Sequence, residues 1–587
     1  IYHLDETDVC LRMMDAGYKT VISDKAYVHH KSAPSSVRNK SHVMVNLYPV
    51  IRSQTYFIIK NNEGLATRKQ IGNWIKKTFN HYREMPNEYL SLGMVTREEC
   101  DEGLAKLKQG MMEGLIDGYT RPRQLIKREI LEKHASPFKQ FSLGLPAEER
   151  LVICFITQEY PPDLNGGIAR FVHQLASGLA RVGHDVFVVT RCTDAPSVEF
   201  EDGVWVHRTR ISHHPKVDLP DGLNVPGDIW DRSYSLALEA MRIHNEHRRI
   251  DILESPVWDV DGIVPLLAKS GMLGDSLPYP DHFDNSLMVT SLHTTYKLSI
   301  PSHKEWTSNP GYMKSFVEPV VELEKYLFQH SDMVLANTQA IINEIESVYD
   351  MPLDPARLAM VAHGIDDMAR TPRDETAESG RGSVMPDGAV NILFVGRLEE
   401  RKGIDVLLES IPGICEKYRD VRFTLVGDDT LKDELGRTYK DSFLSRNSGA
   451  RWLKRVCFTG KVSEDDLNYY YSNCDIFVAP SRFESFGLIF IEAMRFGKPV
   501  IGCRAGGMVE VIEPGVNGFL AEPGDAASLT DAIVELILDR ELRERMGSEA
   551  RKAFKEEFTS ERMVDTALRA YREALDRART ANSGEGV

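Results

Sequence analysis

Residues 474–523 read CDIFVAPSRFESFGLIFIEAMRFGKPVIGCRAGGMVEVIEPGVNGFLAEP. The apolar run Ile476-Phe477-Val478, ending at Pro480-Ser481, has the length of a buried parallel strand reaching its carboxyl end. A loop over 482–487 follows, then a predicted helix from Leu488 to Arg495, with Gly497 and Pro499 placed to stop it. Val500-Ile501-Gly502 begins a second strand, and Gly506-Gly507 turns into a second helix. Strand, loop and helix N-terminus repeated side by side is how an open α/β sheet builds a nucleotide site at its carboxyl edge.

Two carboxylates mark this unit. Glu484 precedes the predicted helix and Glu492 lies about a turn into it, so both stand near one helix N-terminus. Glu492 sits among Ile491, Ala493 and Met494, and Gly487, Gly506 and Gly507 allow close backbone approach to something. The segment ESFGLIFIEA, with this spacing of its glutamates, resembles the signature of the family-4 retaining glycosyltransferases of the GT-B fold, over about residues 150–575. The resemblance implies an α/β protein of two facing Rossmann-like domains with a cleft between them. It implies a nucleotide diphosphate sugar, UDP- or GDP-linked, as donor, a glycan or lipid-linked acceptor, and no further cofactor. By the same resemblance Glu484 contacts the donor sugar, Glu492 the ribose hydroxyls, and main-chain groups near Phe486, Gly487 and Leu488 the phosphate or sugar.

At 587 residues the chain exceeds one hydrophobic core, and its 42% apolar and 27% charged side chains describe an ordinary globular composition. The 87 acidic against 71 basic residues give −16, which argues against a nucleic-acid partner. The eight cysteines form no C-x-x-C pair, so neither zinc nor a disulfide framework is indicated, and a cytoplasmic setting fits. No apolar run reaches the roughly 18 residues that cross a bilayer, which leaves peripheral contact at the inner face open.

Upstream, residues 1–60 resemble the last catalytic segment of the family-2, GT-A type glycosyltransferases. The acidic pair Asp5-Glu6, Asp8, Arg12, Gly17-Tyr18 and His29-His30 carry that likeness. The resemblance makes Asp5 or Glu6 the base, on a fragment expected to be inactive because its donor-binding half would lie further upstream. Residues 61–149 have helical periodicity with charged faces, through Leu104, Leu107, Met111, Leu115, Leu125, Ile126, Ile130 and Leu131, and read as a helical appendage and linker.

From Leu151 the chain reads strand, glycine loop, helix, strand, a right-handed βαβ unit opening an amino-terminal domain over 150–369. Gly166 and Gly167 match the family loop that lets backbone approach donor and acceptor. His293 follows a strand, where ligand-contacting groups belong, and by resemblance touches the donor sugar or leaving oxygen. Glu254, Trp258 and Asp259 are acceptor-pocket candidates, and VAHGID (361–366) resembles a family hinge strand with His363 in place of Asn. A polar linker, 370–389, leads to the second domain, 390–545. There Arg397 and Lys402 follow the first strand; two cations there suit a diphosphate, and the family uses an Arg and a Lys so. The resemblance sets Val462 beside the base. Helices over 546–587 close the chain, and the resemblance implies that the last packs back on the first half.

Breaking the anomeric bond puts charge on the leaving diphosphate, which fixed cations and helix N-termini stabilise in place of a metal. His293, Glu484, Arg397 and Lys402 are thus the candidate catalytic residues, with no metal ligand assigned. The competing readings are an epimerase or phosphorylase of the same fold and a non-catalytic glycan-binding scaffold.

Overall fold

The computed structural model describes residues 43–121, 145–146, 149–162, 166–217, 219, 223–367, 388–430 and 436–584, in two compact units divided between residues 141 and 142. Asp5 and Glu6, with the rest of 1–42, lie outside the described residues, as do Leu125, Ile126, Ile130 and Leu131.

The described residues of the first unit hold three helices, Tyr48–Asn62, Arg68–Ser91 and Arg97–Thr120. Thr67 and Thr96 each start a helix through a capping box, with Gln70 and Glu99 returning the hydrogen bond. The first and third helices pack closely because the third turns glycines toward its neighbour. A Cβ on Gly110 would stand 2.5 Å from the Tyr48 carbonyl oxygen, and one on Gly114 2.7 Å from that of Arg52. The expected domain boundary at residue 60 falls inside Tyr48–Asn62, whose Ile51 and Ile59 pack with Leu107 and Ile71.

The second unit contains two sheets. The first orders its strands β3-β4-β2-β1-β5-β6-β7-β8, where β1 is Val152–Ile156, β2 Asp185–Arg191, β3 Ser197–Glu201, β4 Val204–Thr209, β5 Ile252–Pro256, β6 Leu287–Ser291, β7 Met333–Ala336 and β8 Leu358–Met360. The second runs β11-β10-β9-β12-β13-β14, with β9 Val390–Val395, β10 Val421–Val426, β11 Val456–Gly460, β12 Ile476–Val478, β13 Val500–Cys503 and β14 Gly518–Ala521. Every pairing is parallel except β3 with β4. The strands β1, β5, β6, β7 and β12 are buried throughout, as parallel strands covered by helices on both faces must be. The fold is thus the expected pair of Rossmann-like domains.

One local expectation is corrected. The hinge segment 361–366 is not a strand: pairing stops at Met360, and the chain then presses on the start of the last helix. There Ile365 bridges to Thr559, and a Cβ on Gly364 would meet the Thr559 carbonyl at 2.1 Å. The helix after Gly403 runs from Ile404 to Lys417 through Pro412, because Ile414 and Cys415 extend its buried face. The β3–β4 hairpin turns at Asp202-Gly203, both left-handed (φ 50° and 87°), a strong hairpin signal.

The last helix, Ser560–Gly584, returns to the first domain as expected. Met563, Val564, Ala567, Tyr571, Ala574 and Leu575 are buried there in one cluster with Phe155, Val172 and Leu175.

Candidate active site

Each sheet reverses its strand order once beside its first strand, at β1/β5 and at β9/β12. Loops leaving the carboxyl ends of parallel strands diverge at such points and leave a crevice. Here the loops after β1, β5 and β6 face those after β9 and β12 across one cleft of about 420 Å³.

The second domain supplies the charged wall. Gly403 is left-handed (φ 67°), and a Cβ there would stand 1.9 Å from the Pro480 carbonyl oxygen, so the loop after β9 lies directly on the loop after β12. That contact brings Lys402 and Glu484 together, 82 positions apart in sequence. The Lys402 ammonium donates to Glu484 Oε1 at 2.5 Å, and Ser481 Oγ donates to the same oxygen at 2.8 Å. Burial depresses the Lys402 pKa by more than the carboxylate restores. Burial alone would raise Glu484, but the Lys402 and Arg401 charges and these hydrogen bonds outweigh it and hold Glu484 below its ordinary value. Arg397 and Arg401 complete the wall, sharing Glu399 Oε1 at 3.2 and 3.1 Å; Arg397 is the more open, 57% exposed.

Gly487 caps the helix Leu488–Arg495 in the left-handed region (φ 96°), where a Cβ would strike the Phe490 ring at 2.6 Å. The free N–H groups of this helix start therefore open where Phe486, Gly487 and Leu488 line the cleft.

From the first domain, Gly166 and Gly167 line the opposite side, a Cβ on Gly166 meeting no atom within 4 Å. His293 follows β6, buried against Phe171 (ring centroids 5.0 Å) and His363 (5.4 Å). Burial drives its pKa down to about 3, and its Nε2 has no hydrogen-bond partner among the described residues. His363, which the sequence marks only as a departure, stacks on Phe171 at 4.5 Å and faces Phe486 at 4.9 Å. The Asn337 amide donates to the Leu292 carbonyl at 3.3 Å and to His363 Nε2 at 3.2 Å. With Nε2 accepting, the imidazole carries its proton on Nδ1, which is buried without a partner among the described residues.

Three expected residues stand elsewhere. Glu492 is not on the cleft lining: its Oε1 accepts from Arg170 Nη1 and its Oε2 from the Tyr471 hydroxyl, each at 2.7 Å. Val462 is half-buried against the second-domain core, away from the lining. Glu254 is fully buried beneath the last helix, hydrogen-bonded to the Tyr571 hydroxyl, with burial raising its pKa to about 7. Trp258 and Asp259 do line the cleft, joined by Glu159, Asp261 and Arg401. Arg170 carries no signal in the sequence, since its two partners, Glu492 and Glu464, both belong to the other domain.

Residues 378–553 match the family model described as glycosyl transferases group 1, and residues 166–364 that of the glycosyl transferase 4-like domain. A D-inositol 3-phosphate glycosyltransferase of Paenarthrobacter aurescens is 30% identical over 423 residues, covering 70% of this chain and 93% of that protein. A glycogen synthase of Mycobacterium tuberculosis is 25% identical over 71% of this chain and 94% of its own. Among solved structures, sucrose-phosphate synthase from Thermosynechococcus elongatus superposes with a TM-score of 0.54 at 21% identity, over 73% of this chain and all of that one. The Anabaena protein HepE, in complex with UDP-glucose, gives 0.50 at 18% identity, over 73% and 100%.

Proposed function

The chain belongs to the group 1 glycosyltransferases, and from that premise we propose that it moves a sugar from a nucleotide diphosphate sugar to a glycan or lipid-linked acceptor with retention of anomeric configuration. The observation that carries this reading is the charged wall: Arg397, Arg401 and Lys402 converge with one helix N-terminus on the cleft at the β9/β12 switch point. A diphosphate is the group such a wall suits, Arg397 as a bidentate donor and Lys402 as a point charge. The likeness in fold to a protein bound to UDP-glucose supports the same donor class.

In this reading the arriving diphosphate draws Lys402 from Glu484, and the released carboxylate accepts hydroxyls of the donor sugar. As the anomeric bond breaks, negative charge grows on the leaving oxygen, where the cations and the N–H groups at Gly487 and Leu488 already point. His293, neutral from its burial, contacts the same region as a hydrogen-bonding group and not as a cation. Glu492 takes the ribose diol once Arg170 releases it, so donor binding and the contact between the domains compete for one carboxylate. The setting we propose is assembly of a cell-surface polysaccharide or glycoconjugate.

The test is transfer from UDP-, ADP- and GDP-linked sugars, with the product's anomeric configuration read by NMR. Retained products are expected, with turnover by Arg397→Ala down by about 10²-fold, the scale of losing one charge-stabilising donor. Inverted products, or undiminished turnover in Arg397→Ala, would contradict the reading.

A further inference from the structure

The two walls of the cleft differ in charge. Among the described residues the cations that line it, Arg397, Arg401 and Lys402, come from the second domain. From the first domain the acidic side chains on the lining are Glu159, Asp259 and Asp261. Behind them Arg232 is committed: its Nε donates to Asp261 Oδ1 at 2.6 Å and its Nη2 to the Asp259 carbonyl at 2.8 Å. The Tyr296 hydroxyl donates to Asp259 Oδ1 at 2.6 Å. Asp259 Oδ2 and Asp261 Oδ2 have no further hydrogen bond among the described residues.

Beside the carboxylates, Trp258 is half-buried and lines the cleft. Its indole is backed by stacked rings: Tyr296 at 4.5 Å, then Trp306 on Tyr296 at 5.2 Å, then His303 on Trp306 at 4.1 Å. The turn carrying Trp258 holds Asp259 and Val260 in the left-handed region (φ 63° and 50°), a conformation that non-glycine residues rarely adopt. His293 Nε2 and His363 Nδ1 belong to residues lining the same cleft, each buried without a partner among the described residues.

We infer that the acceptor is an uncharged, polyhydroxylated sugar, stacked by its C–H face on Trp258 with hydroxyls donated to Asp259 and Asp261. The inference rests on the transfer reading above and narrows its acceptor. A rigid aromatic ring offers a flat apolar surface to the C–H face of a pyranose, and a carboxylate oxygen accepts from hydroxyls but repels phosphate. A phosphorylated or carboxylated acceptor would bring a second anion beside three carboxylates, where the first-domain cations acting on Asp261 are Arg232, already bonded to it, and Arg191, which is not on the cleft lining.

The test is an array printed with neutral, carboxylated and phosphorylated oligosaccharides, probed with the full chain, while calorimetry with UDP scores the donor site on the same preparation. Retention confined to neutral glycans is expected, falling at least tenfold in Trp258→Ala and restored in large part by Trp258→Phe. In transfer assays the same substitution acts on acceptor KM more than on kcat. Retention of phosphorylated or carboxylated glycans at or above the neutral ones overturns the inference, as does no retention of any glycan or retention unchanged in Trp258→Ala. UDP binding without neutral-glycan binding sinks the acceptor inference alone, whereas neutral-glycan binding without nucleotide binding sinks the donor reading alone.

Discussion

Lys402 and Glu484 neutralise each other in a nearly closed environment, which makes each a poor candidate for simple deletion. Removing either leaves a buried charge unpaired, at a cost of about 3–5 kcal/mol. Lys402→Ala is therefore expected to lower the melting temperature as well as abolish turnover, whereas Arg397→Ala, at an exposed site, should lose turnover with stability within about 0.5 kcal/mol of wild type. Differential scanning calorimetry of the two variants checks this; equal stability losses would contradict the burial argument. His293 gives a second prediction. Its pKa, pressed to about 3 by burial, keeps it neutral from pH 5 upward, so the kcat profile should show no inflection near 6.5 that disappears in His293→Asn. Much of this site is legible from residue type and loop position taken together with the family resemblance. Arg397, Lys402, Glu484, Gly487 and His293 all follow strands or precede a helix, where sequence order dictates position. Glu492 shows the limit: its apolar neighbours correctly signal burial, but its partner Arg170 lies 322 positions away, beyond any local pattern.

At the scale of elements, the last helix is fastened to the first sheet by more than apolar area. Tyr571 is wholly buried and its hydroxyl reaches Glu254 on β5, whose carboxyl is raised from an ordinary 4.5 to about 7 by burial. A carboxyl with a raised folded pKa contributes stability that is complete below pH 4.5 and lost as pH rises through 7. Glu254→Gln, which cannot ionise, is expected to match wild type near pH 4.5 and to melt higher at pH 8. A melting difference that does not grow with pH would contradict the assignment. Tyr571→Ala should cost about 3–5 kcal/mol, the range for deleting a buried ring. The return of this helix could be expected from the family resemblance, but the Glu254 contact could not. In the sequence Glu254 reads as a strand-end ligand, and the covering helix that buries it lies 317 residues on.

Across the whole molecule, the domains meet through polar contacts that include Arg170 with Glu492 and Glu464, the Glu510 carboxylate with the Gln339 and Ala340 N–H groups, and the Thr338 hydroxyl with the Ser485 carbonyl. Such contacts are individually modest and exchange readily with a ligand, in keeping with a cleft that admits a substrate. If ribose and Arg170 compete for Glu492 as proposed, Arg170→Ala tightens nucleotide binding several-fold; a weaker affinity would mean that Arg170 itself contributes to the site. The two-domain plan was readable from alternating strand and helix patterns, since parallel sheets buried on both faces leave long apolar runs. No helix among the described residues is long and apolar enough to cross a membrane. Isothermal titration of UDP, ADP and GDP into wild type and Arg397→Ala tests whether the loops after β9 and β12 form a nucleotide diphosphate site. Saturable binding of one nucleotide to wild type, weakened at least tenfold in the variant, is the predicted result; no binding, or equal binding by both proteins, would contradict it.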